Sequence, residues 1–170
     1  MMSEQTTEKI FESEFIPQLD ALYAFAFNLT KNESDAEDLV QDTYLKAFRF
    51  IDSYEVGTNP KAWLFRILKN SFINKYRSQQ KRPQSSEIQE DIPTTGNFSF
   101  ENLLGDEVTK AMDELPEDYR TVLLLCDIED FSYEEIADIL GIPIGTVRSR
   151  IFRARNTLKK KLKKYAESLG

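Results

Sequence analysis

The chain has 170 residues, 30% of them charged and 41% hydrophobic, with a formal net charge of −7, one cysteine and no histidine. That length allows one domain or two small ones, and no stretch is apolar enough to read as a membrane span or a signal peptide, so a soluble, cytoplasmic protein is expected. The missing histidine removes His-based acid–base catalysis, His-containing zinc sites and the usual nucleophilic triads, while a single cysteine, Cys126, excludes a disulfide framework within the chain.

Charge is segregated. Residues 1–60 hold 12 acids against 4 bases, and residues 61–82 hold 7 bases and no acid. Residues 101–141 hold 13 acids against 2 bases, and residues 145–170 hold 9 bases against 1 acid. Two basic blocks in an acidic chain point to two nucleic-acid-facing surfaces, with separate acidic surfaces for protein partners.

In chain order, residues 8–29 carry Phe11, Phe15, Leu19, Leu22, Tyr23, Ala26 and Leu29 at helical spacing. Pro17 should break or kink this stretch, or begin the main helix after a short preceding turn. From Asn32 to Ile51, Ala36, Leu39, Val40, Thr43, Tyr44, Ala47, Phe48 and Ile51 follow the spacing of an amphipathic helix. Ser34 and Glu37 have the spacing of a capping box at its start. Its other face presents Asp38, Gln41, Asp42, Leu45, Lys46 and Arg49. Asp38 and Asp42 are one turn apart, which suits either a solvated acidic face or a carboxylate pair for acid–base or metal chemistry. No further ligand type clusters with them.

A loop follows, from Asp52 to Asn59, containing Ser53, Tyr54 and Gly57. Asn59-Pro60 is an N-cap and first-turn pair for a helix to about Gln79. This helix buries Trp63, Leu64, Ile67, Leu68 and Phe72, and displays Lys61, Arg66, Lys69, Asn70, Asn74, Lys75 and Arg77. Two readings stay open: a stacking and electrostatic track for single-stranded nucleic acid, or a core helix with a basic outer face. Residues 81–105, with Lys81-Arg82-Pro83 and Pro93-Thr94-Thr95-Gly96-Asn97, offer little to bury and are expected to form a flexible linker.

The second half begins near Leu104, with Val108, Ala111, Met112 and Leu115 on one helix and Tyr119, Val122, Leu123 and Cys126 on the next. Phe131 to Arg155 then reads as helix, tight turn, helix. Ser132 and Glu135 form a capping box, Phe131 and Ile136 stand at the positions of a hydrophobic staple, Gly141 ends the helix and Pro143 opens the next. On that last helix Ile144, Val147, Ile151, Ala154 and Leu158 are the core stripe. Arg148, Ser149, Arg150, Phe152, Arg153 and Arg155 stand around it with no acid among them, the composition of a major-groove reading helix. A lysine-rich tail, Lys159–Lys161 with Lys163 and Lys164, adds sequence-independent phosphate attraction. The expected fold is all-α: two small helical domains, 1–80 and 106–170, joined by the linker 81–105, the C-terminal one a helix-turn-helix. No cofactor and no metal site are expected.

These residues resemble a family. The stretches Asp35–Phe48 (DAEDLVQDTYLKAF), Ala62–Ile67 (AWLFRI), Leu115–Arg120 (LPEDYR), Ser132–Ala137 (SYEEIA) and Gly145–Arg155 (GTVRSRIFRAR) are similar to bacterial sigma factors of the extracytoplasmic-function group, in the same order and over nearly the whole chain. The resemblance implies a non-enzymatic subunit that joins core RNA polymerase and selects promoter DNA. It implies that Asp38, Gln41 and Asp42 dock on the polymerase. It further implies that Ser53, Tyr54, Lys61, Trp63 and Asn70 hold the melted −10 element, where a pocket can offset the cost of extruding a base. By the same resemblance Arg148, Ser149, Phe152, Arg153 and Arg155 read the −35 duplex, with Tyr133 and Glu134 entering from the preceding helix. An anti-sigma factor is implied as inhibitor, and the free protein is expected to be a monomer. Two alternatives are a stand-alone helix-turn-helix regulator, which would bind duplex DNA without polymerase, and a nucleic-acid enzyme using Asp38, Asp42 and a divalent metal.

Overall fold

The computed structural model describes residues 3–80 and 105–169, with the side chains of 76–80 and 168–169 left aside. All regular structure among the described residues is helical: α1 (Glu4–Ile10), α2 (Leu19–Thr30), α3 (Glu33–Arg49), α4 (Pro60–Gln80), α5 (Asp106–Asp113), α6 (Glu117–Leu123), α7 (Tyr133–Leu140) and α8 (Ile144–Leu169). The chain divides into two compact units, Met1–Thr94 and Thr95–Gly170. The linker expected at 81–105 lies, apart from Gly105, outside the described residues.

In the first unit Pro17 resolves the ambiguity of the opening stretch. Lacking an N–H, it sits in a short 3-10 turn, Ile16–Gln18, preceded by a wide π-turn, Phe11–Phe15, and α2 starts just after it. The π-turn aims Phe15 into the centre of an aromatic cluster. Its ring meets Phe11 edge-on at 4.9 Å and Tyr54 at 5.1 Å, and stacks on Trp63 at 5.4 Å. Phe25 of α2 stacks on Phe65 of α4 at 4.8 Å, joining those two helices. On α3, Ala36, Leu39, Val40, Thr43 and Ala47 face this core. The Thr43 hydroxyl is satisfied by the Leu39 carbonyl at 2.7 Å.

Three expectations need correction here. The Ser34–Glu37 capping box does not form: the N-cap is Asn32, whose Oδ1 accepts the Asp35 N–H at 2.9 Å. The end of α2 decides this, because Lys31 adopts a left-handed conformation (φ 55°), leaving Asn32 extended and ready to cap. Phe48, near the C-terminus of α3, is 63% exposed rather than core, its ring centroid 5.9 Å from that of Phe11. Leu19, at the first turn of α2, is likewise exposed.

In the second unit the helix-turn-helix is α7–turn–α8. The Ser132–Glu135 capping box is present in both directions, with the Glu135 N–H on Ser132 Oγ at 3.1 Å and the Ser132 N–H on Glu135 Oε1 at 2.9 Å. Gly141 stops α7 at φ 67°, and the Ile142 N–H returns to the Ala137 carbonyl at 3.1 Å. Pro143 then offers its carbonyl to Thr146 and Val147, opening α8. Arg120 is buried and donates to the Leu115 carbonyl at 3.1 Å, tying the turn between α5 and α6. Instead of ending, α6 widens into a π-turn, Leu124–Ile128, so Val122 through Leu125 are all buried while Cys126 is only half-buried. Burial pushes the Cys126 thiol up from its ordinary pKa.

Candidate nucleic-acid interface

On α8, Val147, Ile151 and Ala154 are buried against the second unit. The opposite face is open: Arg148, Ser149, Phe152 and Arg153 are exposed, and Phe152 is 68% accessible. A phenylalanine so exposed on a helix of arginines has no folding reason to be there. Among the described residues the Arg148 and Arg153 guanidinium groups have no ion-pair or hydrogen-bond partner. Both forks are therefore available to a carboxylate-free partner such as phosphate or a base edge. Ser149 Oγ donates to the Thr146 carbonyl at 3.2 Å, leaving its lone pairs outward. On α7, Glu134 is exposed and Tyr133 half-buried.

Arg155 and Arg150 behave differently. Arg155 Nη2 donates to Asp127 Oδ1 at 2.6 Å and Nε donates to Oδ2 at 3.3 Å, a forked pair that holds its pKa above the ordinary value. Arg150 lies 4.0 Å from Asp118. Asn156, not singled out in the sequence, is exposed three residues after Arg153 and seven after Ser149, on the same outward face. Its helical spacing from Ser149 and Arg153 is the signal that marks it, although an uncharged amide lies outside the arginine pattern of α8.

The second basic segment is assembled around α4. Trp63 is half-buried, with its indole stacked on Phe15 and tilted against Tyr54, the two ring centroids 5.0 Å apart. Asn70 is exposed two turns further along α4, on the face that Trp63 shares. Lys61 is half-buried, its ammonium 6.0 Å from the Phe65 ring centroid. Ser53 is exposed in a 3-10 turn, Ile51–Ser53, and its hydroxyl donates to the Phe50 carbonyl at 2.7 Å. Tyr54 is not part of this open surface. It is only 3% exposed and donates to Glu14 Oε1 at 2.7 Å; burial first, and then that hydrogen bond, push its hydroxyl up to about 12. Its ring packs against both Phe15 and Trp63, which also stack on each other, so it supports the loop rather than offering a face to a ligand.

The acidic face of α3 presents Asp38 and Gln41, both exposed, and Asp42, half-buried, followed by Leu45 at 67% exposure. None of the three polar side chains has a hydrogen-bond or ion-pair partner among the described residues. Charged groups beside an exposed leucine make a surface suited to a protein with basic and apolar patches. Among the described residues no cluster of three or more His, Cys, Asp or Glu is placed to hold a metal ion. Nor is any helix there long and apolar enough to cross a membrane.

Comparison with known proteins matches residues 17–82 to sigma-70 region 2 and residues 105–158 to sigma-70 region 4. The chain is 38% identical over 154 residues to the ECF RNA polymerase sigma factor SigE of Mycolicibacterium smegmatis, spanning 86% of this chain and 59% of that protein. It is 37% identical over 151 residues to the ECF RNA polymerase sigma factor EcfG of Rhodopseudomonas palustris, spanning 85% of this chain and 81% of the relative. Among solved structures, the sigma factor RpoE in complex with the anti-sigma factor NepR from Bartonella quintana aligns with a TM-score of 0.68 at 37% identity, over 91% of this chain and 98% of that one. The chain thus belongs to the sigma-70 family, in its extracytoplasmic-function group of RNA polymerase sigma factors, which are DNA-binding initiation factors and not enzymes.

Proposed function

We propose that this chain joins core RNA polymerase in the cytoplasm and directs initiation at promoters carrying two separated elements. The observation that carries the reading is the outward face of α8, where Arg148 and Arg153 stand without protein partners beside Ser149 and the exposed Phe152. Laid in a major groove, this face supplies guanidinium forks for guanine edges or phosphates and an apolar ring for thymine methyls. Tyr133 and Glu134 enter from α7. The −10 element lies along α4: Lys61 attracts the backbone, Trp63 walls a site for an unstacked base, and Asn70 and Ser53 supply hydrogen bonds. Tyr54 serves that site from behind, by fixing the Trp63 ring. Asp38, Gln41 and Asp42 form the docking face for the polymerase. The solved relative, RpoE of Bartonella quintana, is bound to an anti-sigma factor, and a protein of that kind is the inhibitor expected here, covering a free monomer.

The test is transcription from a genomic fragment library by purified core polymerase, with and without the full chain. Protein-dependent starts that share two upstream elements are expected. An absence of starts, together with selective duplex binding by the protein alone, would move the assignment to a stand-alone regulator.

A further inference from the structure

The arginines of α8 fall into two classes by what they meet within the protein. Arg153 projects away from the core stripe and Arg148 lies at its edge, on the side it shares with Arg155 seven residues on; both are exposed with no ion-pair or hydrogen-bond partner among the described residues, whereas Arg150 and Arg155, flanking the stripe on its two sides, face carboxylates. The flanking pair is tied down. Arg155 closes a two-point fork on Asp127, at 2.6 and 3.3 Å, with Cys126 Sγ 3.6 Å from the same Nη2. Arg150 lies 4.0 Å from Asp118. Asp118 belongs to the first turn of α6, and Asp127 to the π-turn that continues it, so both acids stand on one strut at its two ends. The wide turn has a consequence of its own: it carries the chain past the buried run Val122–Leu125 and leaves Asp127 exposed at the strut's end.

Apolar packing through Val147, Ile151 and Ala154 holds α8 against the unit but is non-directional, so it tolerates small rotations of the helix about its own axis. That rotation decides whether Arg148, Ser149, Phe152 and Arg153 meet base edges squarely. A forked arginine–carboxylate pair is directional and fixes an angle. We infer that Asp127 and Arg155 are a positioning pair for −35 recognition: Asp127, acting through Arg155, sets the rotation of the reading helix, and the Arg155 guanidinium is spent on the protein rather than on DNA. The looser Arg150–Asp118 contact braces the opposite flank. This assigns Asp127 a part in promoter selection although it sits in the acidic half of the unit and off the reading helix. It also takes Arg155 out of the set of direct DNA contacts to which family resemblance assigns it. The inference rests on the −35 reading of α8.

The experiment uses the full chain with core polymerase on a promoter fragment recovered from the library, and on the same fragment with its −35 element scrambled. Asp127→Asn and Arg155→Gln are each expected to lower selectivity for the intact element by a similar factor, about tenfold for a coupling of this type. The double variant should do no further damage, the salt dependence of binding should stay that of the wild type, and the exchanged pair Asp127→Arg with Arg155→Asp should recover selectivity. Melting curves on each variant separate loss of the fold from loss of alignment, and recovery in the exchanged pair speaks for alignment even if a single variant melts early. The inference is overturned if Arg155→Gln weakens binding and flattens the salt dependence while Asp127→Asn binds as well as wild type or better, the pattern of a direct phosphate contact. If the wild-type chain starts transcription on no fragment, the sigma-factor reading falls first and takes this inference with it.

Discussion

Arg153→Ala removes an exposed guanidinium that has no protein partner among the described residues, so the folded state loses almost nothing. Thermal unfolding should be unchanged, while transcription that depends on the −35 element should fall by roughly 1–3 kcal/mol, read as the ratio of rates on intact and scrambled promoters. Tyr54 behaves in the opposite way: its loss is felt in the fold before it is felt in DNA binding. Its hydroxyl, like that of Tyr44, which donates to the Phe15 carbonyl at 2.8 Å, is pushed up to about 12 by burial. A pKa raised from 10 to about 12 means that the unfolded chain releases the proton first, so the stability these groups contribute is intact below pH 10 and is lost as pH rises toward 12. The single tryptophan, Trp63, stacks in the same cluster, so its fluorescence reports this unit alone. The midpoint followed by Trp63 emission should drop across that alkaline window, and Tyr54→Phe should shrink the drop.

Helix starts show how a local signal wins or loses at the scale of an element. Two Ser-x-x-Glu stretches look alike in sequence, at Ser34 and at Ser132, and only the second caps a helix. Ser132→Ala should therefore cost about 0.5–2 kcal/mol, whereas Ser34→Ala, inside the first turn of α3, should be neutral or slightly stabilising. Asn32→Ala should carry the cost that the sequence assigns to Ser34. Chemical denaturation of the three variants checks the order. The spacing of apolar residues located the core faces of α3 and α8 because helical period depends on nothing but the chain itself. It placed Phe48 and Leu19 wrongly because cover at a helix end comes from another element. On α5, Thr109 is buried and its hydroxyl has no partner among the described residues, so Thr109→Val, close in shape, should raise stability by about 1 kcal/mol, visible as a higher melting temperature.

For the whole molecule, the division into two compact units makes two separable losses possible. Asp42→Lys reverses a charge on the open face of α3 and should weaken binding to core polymerase by about tenfold or more, since like charges brought together at an interface cost several kcal/mol. It should leave −35 duplex binding by the full chain untouched. Arg153→Ala should show the mirror image, with polymerase binding retained and promoter choice lost. Titration of labelled core polymerase and of duplex DNA with both variants measures the two losses independently. The negative net charge does not oppose this division of labour, because the 13 acids of residues 101–141 and the 9 bases of residues 145–170 occupy different stretches of chain.

The helices, the turn between α7 and α8, the segregation of charge and the membership of a family were all legible in the chain itself, because each depends on residues within a few positions of one another or on motifs kept in order. Tertiary structure alone decided which members of those motifs face outward. Tyr54 was drawn inward by Glu14, 40 positions away, and Arg155 was engaged by Asp127, 28 positions away. Neither partner carries a sequence mark that distinguishes it from the other acids around it. A side chain's spacing says which face of a helix it occupies, but whether that face is spent within the protein or left open for a ligand depends on which distant groups the fold brings within hydrogen-bonding distance of it.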